Sequence, residues 1–227
     1  RELDLCGNDL GNGGVNVLLR SPYLGRVDVL DLSFNGVCDG GVKVLANATG
    51  LSRLRALHLT DNGQVSAAGV AALAASPFLA GLHTLDVSGN DVSDAGVTAV
   101  VGSRHLTKLH TFRVYANHIG DAGAAALAGS SLLGPAGARV LAGCSQLRKA
   151  TALDLSGNYL GDIGLAVLAA SPHLARLRHL AVRQNQIGDA GAVALARSPL
   201  MAQLATVDVS TNRLTRKGAE ALWGNGV

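Results

Sequence analysis

Apolar and polar positions recur along this chain in one repeating unit, which is seen clearly from Leu153 onwards. Leu153 and Leu155 alternate with polar residues, which is the period of a half-buried strand. Asn158 follows, and an asparagine at a sharp turn can satisfy backbone groups through its side chain. The next residues have the apolar spacing of a short helix, which Pro172 ends because proline has no N–H to donate. The pattern therefore predicts that each unit forms a strand, a turn and a helix.

One asparagine marks each unit. It occurs at Asn8, Asn35, Asn62, Asn90, Asn117, Asn158, Asn185 and Asn212. The steps between these positions are 27, 27, 28, 27, 41, 27 and 27 residues. A fixed period of this size is typical of a stacked solenoid, in which each unit contacts only its neighbours. We expect the asparagine side chains to be buried and to form a ladder along the stack.

The strands predicted from the alternation have cores at residues 3–5, 29–32, 56–59, 84–87, 111–114, 152–155, 179–182 and 206–209. We expect them to stack in parallel as the concave face of an arc, with the helices on the convex side. No Pro/Ser-rich linker or break in composition divides the chain. Residues 1–227 are therefore predicted to form a single domain of about eight repeats, whose stability is a sum over neighbouring units.

The recurring sequence pattern LxxLxLxxNxL resembles the leucine-rich repeat. The step of 27–28 residues, with a helix after Gly-Asp-Ala-Gly, is similar to the ribonuclease-inhibitor-like subclass, and the segment ASPHLARLRHL resembles bacterial arrays of that subclass. The resemblance covers essentially the whole chain. It implies an α/β fold, a leucine-rich-repeat solenoid in which a curved right-handed β-α superhelix has concave parallel strands and convex helices. It carries little information about the ligand.

The 41-residue step between Asn117 and Asn158 is the one irregular interval. Gly137, Leu141 and Leu147 repeat the helical half of the pattern 14 residues after Gly123, Leu127 and Leu133. Either one unit lost a strand or a second helix was inserted, so residues 122–148 are predicted to hold two helical pieces. We expect a strandless extra half-repeat at about 134–147 that bulges from the convex side and leaves the strand stack continuous. It is either a neutral scar of recombination or a contact site.

Charged residues fall into two registers. Acidic residues in one register, just before each predicted helix, are Asp39, Asp94, Asp121, Asp162 and Asp189. Basic residues after the helices are Arg26, Arg53, Lys108, Lys149 and Arg176, with Arg55, Arg148 and Arg178 beside them. Each charge suits its end of the helix dipole, and an aspartate is expected to cap the helix it begins. The solenoid should thus have an acidic and a basic edge, and the basic edge is a candidate surface for an acidic partner.

The outward strand positions form a column along the concave face. Its members are Asp4, Asp31, His58, Asp86, Arg113, Asp154, Ala181 and Asp208. Aspartate is the common residue in this register, so the departures from it carry more information. His58 lies between Asp31 and Asp86, which should favour its protonated form. Arg113 lies beside Asp86 and should relieve the repulsion between that residue and Asp154.

Large or charged side chains in the neighbouring columns extend this surface, in a chain with only 3% aromatic residues. The predicted protein-binding residues are Phe34, His58, Asp61, Arg113, Tyr115, His179, Arg183 and Gln184. Outward aromatic and arginine side chains are typical of protein-interface hot spots. The alternative is repeat drift on a solvated surface.

Composition and motifs exclude several classes of function. The net charge of +3 is too small and too scattered for a nucleic-acid partner. No apolar run reaches the roughly 18–20 residues of a membrane span. Cys6, Cys38 and Cys144 form no CxxC pair, which favours a reducing compartment and a cytoplasmic location. No residue spacing matches a known catalytic, cofactor or metal site, so we expect none of these.

The sequence therefore predicts a non-catalytic protein-protein interaction scaffold that binds a partner on its concave face. Three alternatives stay open: an inhibitor or regulator of an enzyme, as in ribonuclease inhibitor; a GTPase activator, which shares this repeat type; and a structural or assembly spacer. The chain opens in mid-repeat at Arg1 without a polar cap. We expect a fragment of a longer protein, or end-to-end self-association through uncapped ends.

Overall fold

The computed structural model describes residues 1–109, 111–128 and 151–224. The strands are β1 Glu2–Asp4, β2 Val29–Asp31, β3 Ala56–His58, β4 Thr84–Asp86, β5 Thr111–Arg113, β6 Ala152–Asp154, β7 His179–Ala181 and β8 Thr206–Asp208. The helices are α1 Gly11–Leu18, α2 Asp39–Ala46, α3 Ala67–Ala75, α4 Ser93–Val101, α5 Asp121–Ala128, α6 Gly161–Ala169, α7 Asp189–Ala196 and α8 Arg216–Trp223. Short 3-10 turns follow several helices, for example Pro77–Leu79 after α3.

The strands form one parallel sheet in the order β1 to β8, and the helices form a second layer behind it. The predicted α/β solenoid is thus confirmed, and each predicted strand agrees with the observed one to within a residue at either end. Strand β5 pairs directly with β6, with Arg113 opposite Asp154, so the stack is continuous across the 41-residue step as predicted. The predicted half-repeat at 134–147 and its bulge lie outside the described residues.

The core lies between the sheet and the helices and consists mainly of leucine and valine. The central residues of β2 to β7, which are Leu30, Leu57, Leu85, Phe112, Leu153 and Leu180, are all buried. Each strand turns alternate side chains inward, and each short helix covers them with side chains such as Val70 and Leu73 of α3. Truncating one of these residues, as in Leu57→Ala, is expected to cost about 3 kcal/mol because it leaves a cavity.

The asparagine ladder forms as predicted and links each repeat to the one before it, although Asn8 and Asn212 at its two ends are exposed and half-buried rather than buried. In Asn62, Oδ1 accepts hydrogen bonds from the N–H groups of Asn35 and Val37, at 3.1 and 2.9 Å. Its Nδ2 donates to the carbonyls of Leu32 and Leu59. One buried amide thus satisfies backbone groups of two consecutive turns, which would otherwise be unpaired in the core.

Asn90 departs from this pattern. Its Nδ2 donates to carbonyls as the others do, but within the described residues its Oδ1 is the one buried side-chain polar atom without a hydrogen-bond partner. The 28-residue step explains this, because the buried valine follows Asn62 by three positions instead of the two that separate Asn35 from Val37. The extra residue moves the next backbone N–H out of reach of Asn90.

The aspartates at the helix starts bond across repeats. Asp39 Oδ1 accepts from the N–H groups of Ser66 and Gly69 in the next repeat, at 2.8 and 3.1 Å. The same arrangement joins Asp94 to Gly120, Asp162 to Gly188 and Gly191, and Asp189 to Thr215 and Gly218. The prediction that these residues cap their own helices is therefore wrong, because each carboxylate caps the helix that follows. The side chain of Asp121 lies outside the described part.

Candidate functional site

The concave face presents the predicted central column in the predicted order. Strand pairing places Asp31 opposite His58, His58 opposite Asp86, and Asp86 opposite Arg113. Neighbouring strands lie about 4.8 Å apart, so consecutive side chains in the column can interact. These residues point away from the core because strand side chains alternate and the central residue of each strand is buried.

Three members of the column form one charge cluster. His58 Nδ1 lies 4.0 Å from Asp86 Oδ2, and Arg113 Nη1 lies 3.8 Å from the same oxygen. The interaction with Asp86 raises the pKa of His58 above its ordinary value, against the opposing effect of burial. Burial pushes the pKa of Asp86 upward, but His58, Ser88 and Arg113 together outweigh it and hold that pKa below the ordinary range. His58 is therefore favoured in its protonated form, as the sequence predicts.

A second pair lies at the other end of the sheet. Arg183 Nε lies 3.7 Å from Asp208 Oδ2. Burial raises the pKa of Asp208, but hydrogen bonds from Ser210 and the charge of Arg183 lower it further than burial raises it. The ring of His179 lies beside this pair, with Nδ1 at 2.9 Å from Thr206 Oγ1. Asp208 is thus engaged within the chain.

Between these two groups the concave face holds a depression with a volume of about 140 Å³. It is lined by residues of β5 to β8, among them Arg113, Ala152, Asp154, His179, Ala181 and Asp208. Ala152 and Ala181 lie on neighbouring strands in different registers, and the small side chain of each leaves room for the depression. Of the two alanines only Ala181 belongs to the predicted central column, and the groove was not predicted.

Five of the eight predicted site residues lie at the turns rather than on the strands, and three of the five share one register. Phe34, Asp61 and Gln184 each precede a ladder asparagine and have φ values of 55°, 50° and 51°. All eight residues that precede a ladder asparagine have a left-handed backbone conformation. Residues other than glycine adopt this conformation at a cost of about 1–2 kcal/mol. Phe34 is 56% exposed, so its ring is accessible to a partner. The backbone strain at this position was not predicted from the sequence.

Three side chains with rings lie in the two repeats on either side of the 41-residue step. The ring of Tyr115 lies over Gly157 of the next repeat, so closely that a Cβ at that glycine would come within 2.9 Å of Tyr115 Cε2. The rings of His118 and Tyr159 are stacked, with centroids 6.1 Å apart and planes 8° apart. His118 Nδ1 also lies 3.2 Å from Asp91 Oδ1. We call Tyr115, His118 and Tyr159 the aromatic rim; the sequence prediction included only Tyr115.

The predicted site residues do not form a single cluster. Phe34, His58 and Asp61 belong to the second and third repeats, Arg113 and Tyr115 to the fifth, and His179, Arg183 and Gln184 to the seventh. Strands β2 and β7 are five steps apart, or about 24 Å at the usual spacing. The charge cluster, the groove and the aromatic rim lie together from β3 to β8, which makes that part of the face the best-formed surface.

A leucine-rich repeat family model matches residues 28–46, 52–74, 82–101, 102–128, 151–169 and 173–196. These stretches cover more than half of the chain and coincide with the strand–helix units described above. The chain belongs to the leucine-rich repeat family. No curated protein sequence matches it.

Some arginines of the predicted basic edge of this leucine-rich repeat chain form contacts within the fold. Arg55 Nη1 donates to the carbonyl of Gly81, and Arg178 Nη1 donates to that of Gln203, each at 2.9 Å in the following repeat. Arg53 Nη2 lies 3.7 Å from Asp28. These arginines join neighbouring repeats at the end opposite the aspartate caps. Arg148 and Lys149 lie outside the described residues.

Within the described part of the leucine-rich repeat chain, no three His, Cys, Asp or Glu side chains converge as a metal ion requires. Cys6 and Cys38 are free thiols, and Cys144 lies outside the description. None of the described helices has both the length and the apolar character needed to cross a membrane.

Proposed function

We propose that this leucine-rich repeat chain is a non-catalytic scaffold that binds a protein partner on its concave face and adjoining turn edge. The observation that carries the proposal is the grouping on β3 to β8 of a charge cluster, a groove and the exposed rings of Tyr115 and Tyr159. Exposed tyrosines beside arginine are the residues most often found as interface hot spots. Leucine-rich repeats generally bind proteins, which favours this kind of partner over a small molecule.

The binding residues in this proposal are Phe34, His58, Asp61, Arg113, Tyr115, His179, Arg183 and Gln184, with His118 and Tyr159 added. Recognition would occur largely between rigid bodies. The sheet hydrogen bonds, the asparagine ladder and the aspartate caps hold the backbone in place before the partner arrives. Little ordering entropy is then lost on binding, and the mixed acidic and basic surface provides specificity and steering.

We place the chain, within its family, in the ribonuclease-inhibitor-like subclass and in a bacterial-type array, acting in the cytoplasm. Support for the subclass is the 27–28-residue step and the α-helix in each described repeat. The sequence of the segment from Ala170 to Leu180 supports a bacterial-type array. The free thiols of Cys6 and Cys38 support a reducing compartment.

An enzyme inhibitor or regulator is the second candidate. The central column holds Asp4, Asp31, Asp86, Asp154 and Asp208, which together would complement a basic enzyme surface. Such binding would weaken steeply with salt, because exposed charges are screened within about 8 Å at physiological ionic strength. A partner whose affinity is unchanged between low and high salt would count against this candidate.

The experiment is affinity capture from a lysate, read by mass spectrometry. The concave variant changes Phe34, His58, Arg113, Tyr115 and Arg183 to alanine. The control variant changes five helix-layer residues, Val17, Lys43, Val44, Ile163 and Arg197, to alanine. We expect one protein to be captured by wild type and by the control variant but lost by the concave variant. Equal recovery by all three would contradict the proposal.

A further inference from the structure

The acids of the concave face differ in whether a cation already neutralises them. Asp86 lies within 4.0 Å of both His58 and Arg113, and Asp208 lies 3.7 Å from Arg183. Asp154, which lies between these two groups, has no ion pair within the part of the chain that the structure describes. Its Oδ1 accepts one hydrogen bond, from the N–H of Ser156 at 2.9 Å.

The neighbours of Asp154 explain why it is left without a counterion. On one side Arg113 is opposite in register, but its guanidinium lies at the carboxylate of Asp86. On the other side the register partner is Ala181, which has no charge to offer. Asp154 therefore lines the depression together with Ala152 and Ala181 without a counterion of its own.

We propose that this groove receives an arginine side chain presented by the protein partner, with the guanidinium paired to Asp154 and the stem lying on Ala152 and Ala181. The inference rests on the proposed function and specifies the partner's chemistry at that site. A volume of about 140 Å³ is close to that of a cavity which holds benzene, so a guanidinium with its neighbouring methylenes fits.

Arginine suits this groove better than lysine for two physical reasons. A guanidinium is planar, is less strongly hydrated than an ammonium, and matches a carboxylate with two parallel N–H donors. An ammonium is also more strongly hydrated than a guanidinium, so a lysine would lose more on leaving water to lie beside the alanine methyl groups. Docking a guanidinium would also neutralise the one acid of β4 to β8 that lacks an intramolecular counterion.

The test is a nuclear magnetic resonance titration of the whole chain with N-acetyl-arginine amide. We expect saturable shifts at the amides of Ala152, Asp154 and Ala181 in the millimolar range, as for a single side chain. N-acetyl-citrulline amide has nearly the same shape without the charge and should cause none. N-acetyl-lysine amide should bind more weakly. Absence of saturable shifts, or equal binding by citrulline or lysine, would overturn the inference.

Matched variants locate the binding. Asp154→Asn should weaken it about tenfold, since hydrogen bonds to a charged group are lost. Asp4→Asn removes an acid of the same register that accepts from Cys6 N–H at 2.9 Å but lies outside the groove, and it should have no effect. Ala152→Leu should abolish binding by filling the groove, whereas Ala56→Leu, in the same register of β3, should not. Equal effects within either pair would overturn the inference.

The results of the titration and of the lysate capture distinguish a failure of this inference from a failure of the proposed function. A partner that depends on the concave face, with no arginine binding in the groove, would overturn this inference and leave the proposed function standing. Arginine-selective binding that requires Asp154, without any partner that depends on the concave face, would uphold the chemistry of the groove and count against the proposed function.

Discussion

Gly69 lies against the carboxylate of Asp39 in the preceding repeat and donates its N–H to Asp39 Oδ1 over 3.1 Å. A Cβ at position 69 would stand 2.4 Å from that oxygen, so the glycine leaves the space that the carboxylate occupies. Gly123, Gly191 and Gly218 lie in the same way against Asp94, Asp162 and Asp189. The aspartate and glycine of the repeating motif are thus two halves of one contact between consecutive repeats.

Gly69→Ala is expected to lower the free energy of unfolding by about 2 kcal/mol, because the added methyl group forces the carboxylate away from the helix it caps. Urea denaturation followed by circular dichroism measures this. Gly13→Ala is the control, since a Cβ there meets nothing within 4 Å and should stabilise α1 by up to about 1 kcal/mol. If both variants changed stability alike, the role of the contact would be disproved.

Deleting Gln64 is expected to stabilise the chain by about 1 kcal/mol. The deletion turns Asn62-Gly63-Gln64-Val65 into the Asn-Gly-Val found at Asn35, and so brings backbone donors to the unpaired Oδ1 of Asn90. The urea midpoint should rise. Deleting Gly36 instead should lower it, because that change breaks the regular step that gives Asn62 its donors. A fall in the midpoint after deletion of Gln64 would contradict this explanation.

His58 is expected to titrate above its ordinary pKa of 6.5 and to stabilise the fold when protonated. Because the folded-state pKa is raised, the contribution is fully present below pH 6.5 and is lost as the pH rises through the folded value. The stability difference between wild type and His58→Gln should therefore shrink from pH 5.5 to pH 9.

Proton resonances of the His58 ring measure its pKa directly. Asp86→Asn should lower that pKa, since Asp86 is the main cause of the shift, and Arg113→Gln should raise it, since Arg113 opposes the shift. A His58 pKa that did not respond to either substitution would show that the charge cluster does not exist in solution.

Phe34→Gly is expected to stabilise the chain by about 1 kcal/mol, because glycine adopts the left-handed conformation at φ 55° without steric cost. The exposed ring contributes little packing. Ala116→Gly, at φ 49° in the same register, is the control and should gain a similar amount. Thermal or urea denaturation measures both changes. If Phe34→Gly were destabilising while Ala116→Gly was not, the ring would have a packing role in the fold.

The strands, their register and the asparagine ladder could be predicted from the sequence because each depends on local information. Alternation at Leu153 and Leu155 defines the buried face of one strand, and a constant step carries the same assignment to the next. The order of Asp31, His58 and Asp86 along the concave face follows from that step alone.

The helix caps were located correctly but assigned to the wrong partner. Asp39 stands at the start of its own helix in the sequence, and only the stacking of repeats brings its carboxylate to Ser66 and Gly69, about one repeat later. A signal was present, since a glycine follows each such aspartate at the distance of one repeat plus two residues.

The groove and the aromatic rim could not be predicted because neither is a property of a single position. A depression depends on what surrounds Ala152 and Ala181, and their neighbours include residues of two other strands, β5 and β8. His118 and Tyr159 share a register after consecutive ladder asparagines, so the predicted continuous stack makes them neighbours, but the stacking of their rings depends on side-chain conformations that the register does not set.

The most direct test of concave-face binding is the dissociation constant of the captured partner for wild type and for the concave variant, measured by isothermal titration calorimetry. The account predicts a loss of at least about 2 kcal/mol, or about thirtyfold in affinity, for the variant that lacks Phe34, His58, Arg113, Tyr115 and Arg183. The helix-layer variant should bind like wild type. Equal affinity of the concave variant and wild type would contradict the account.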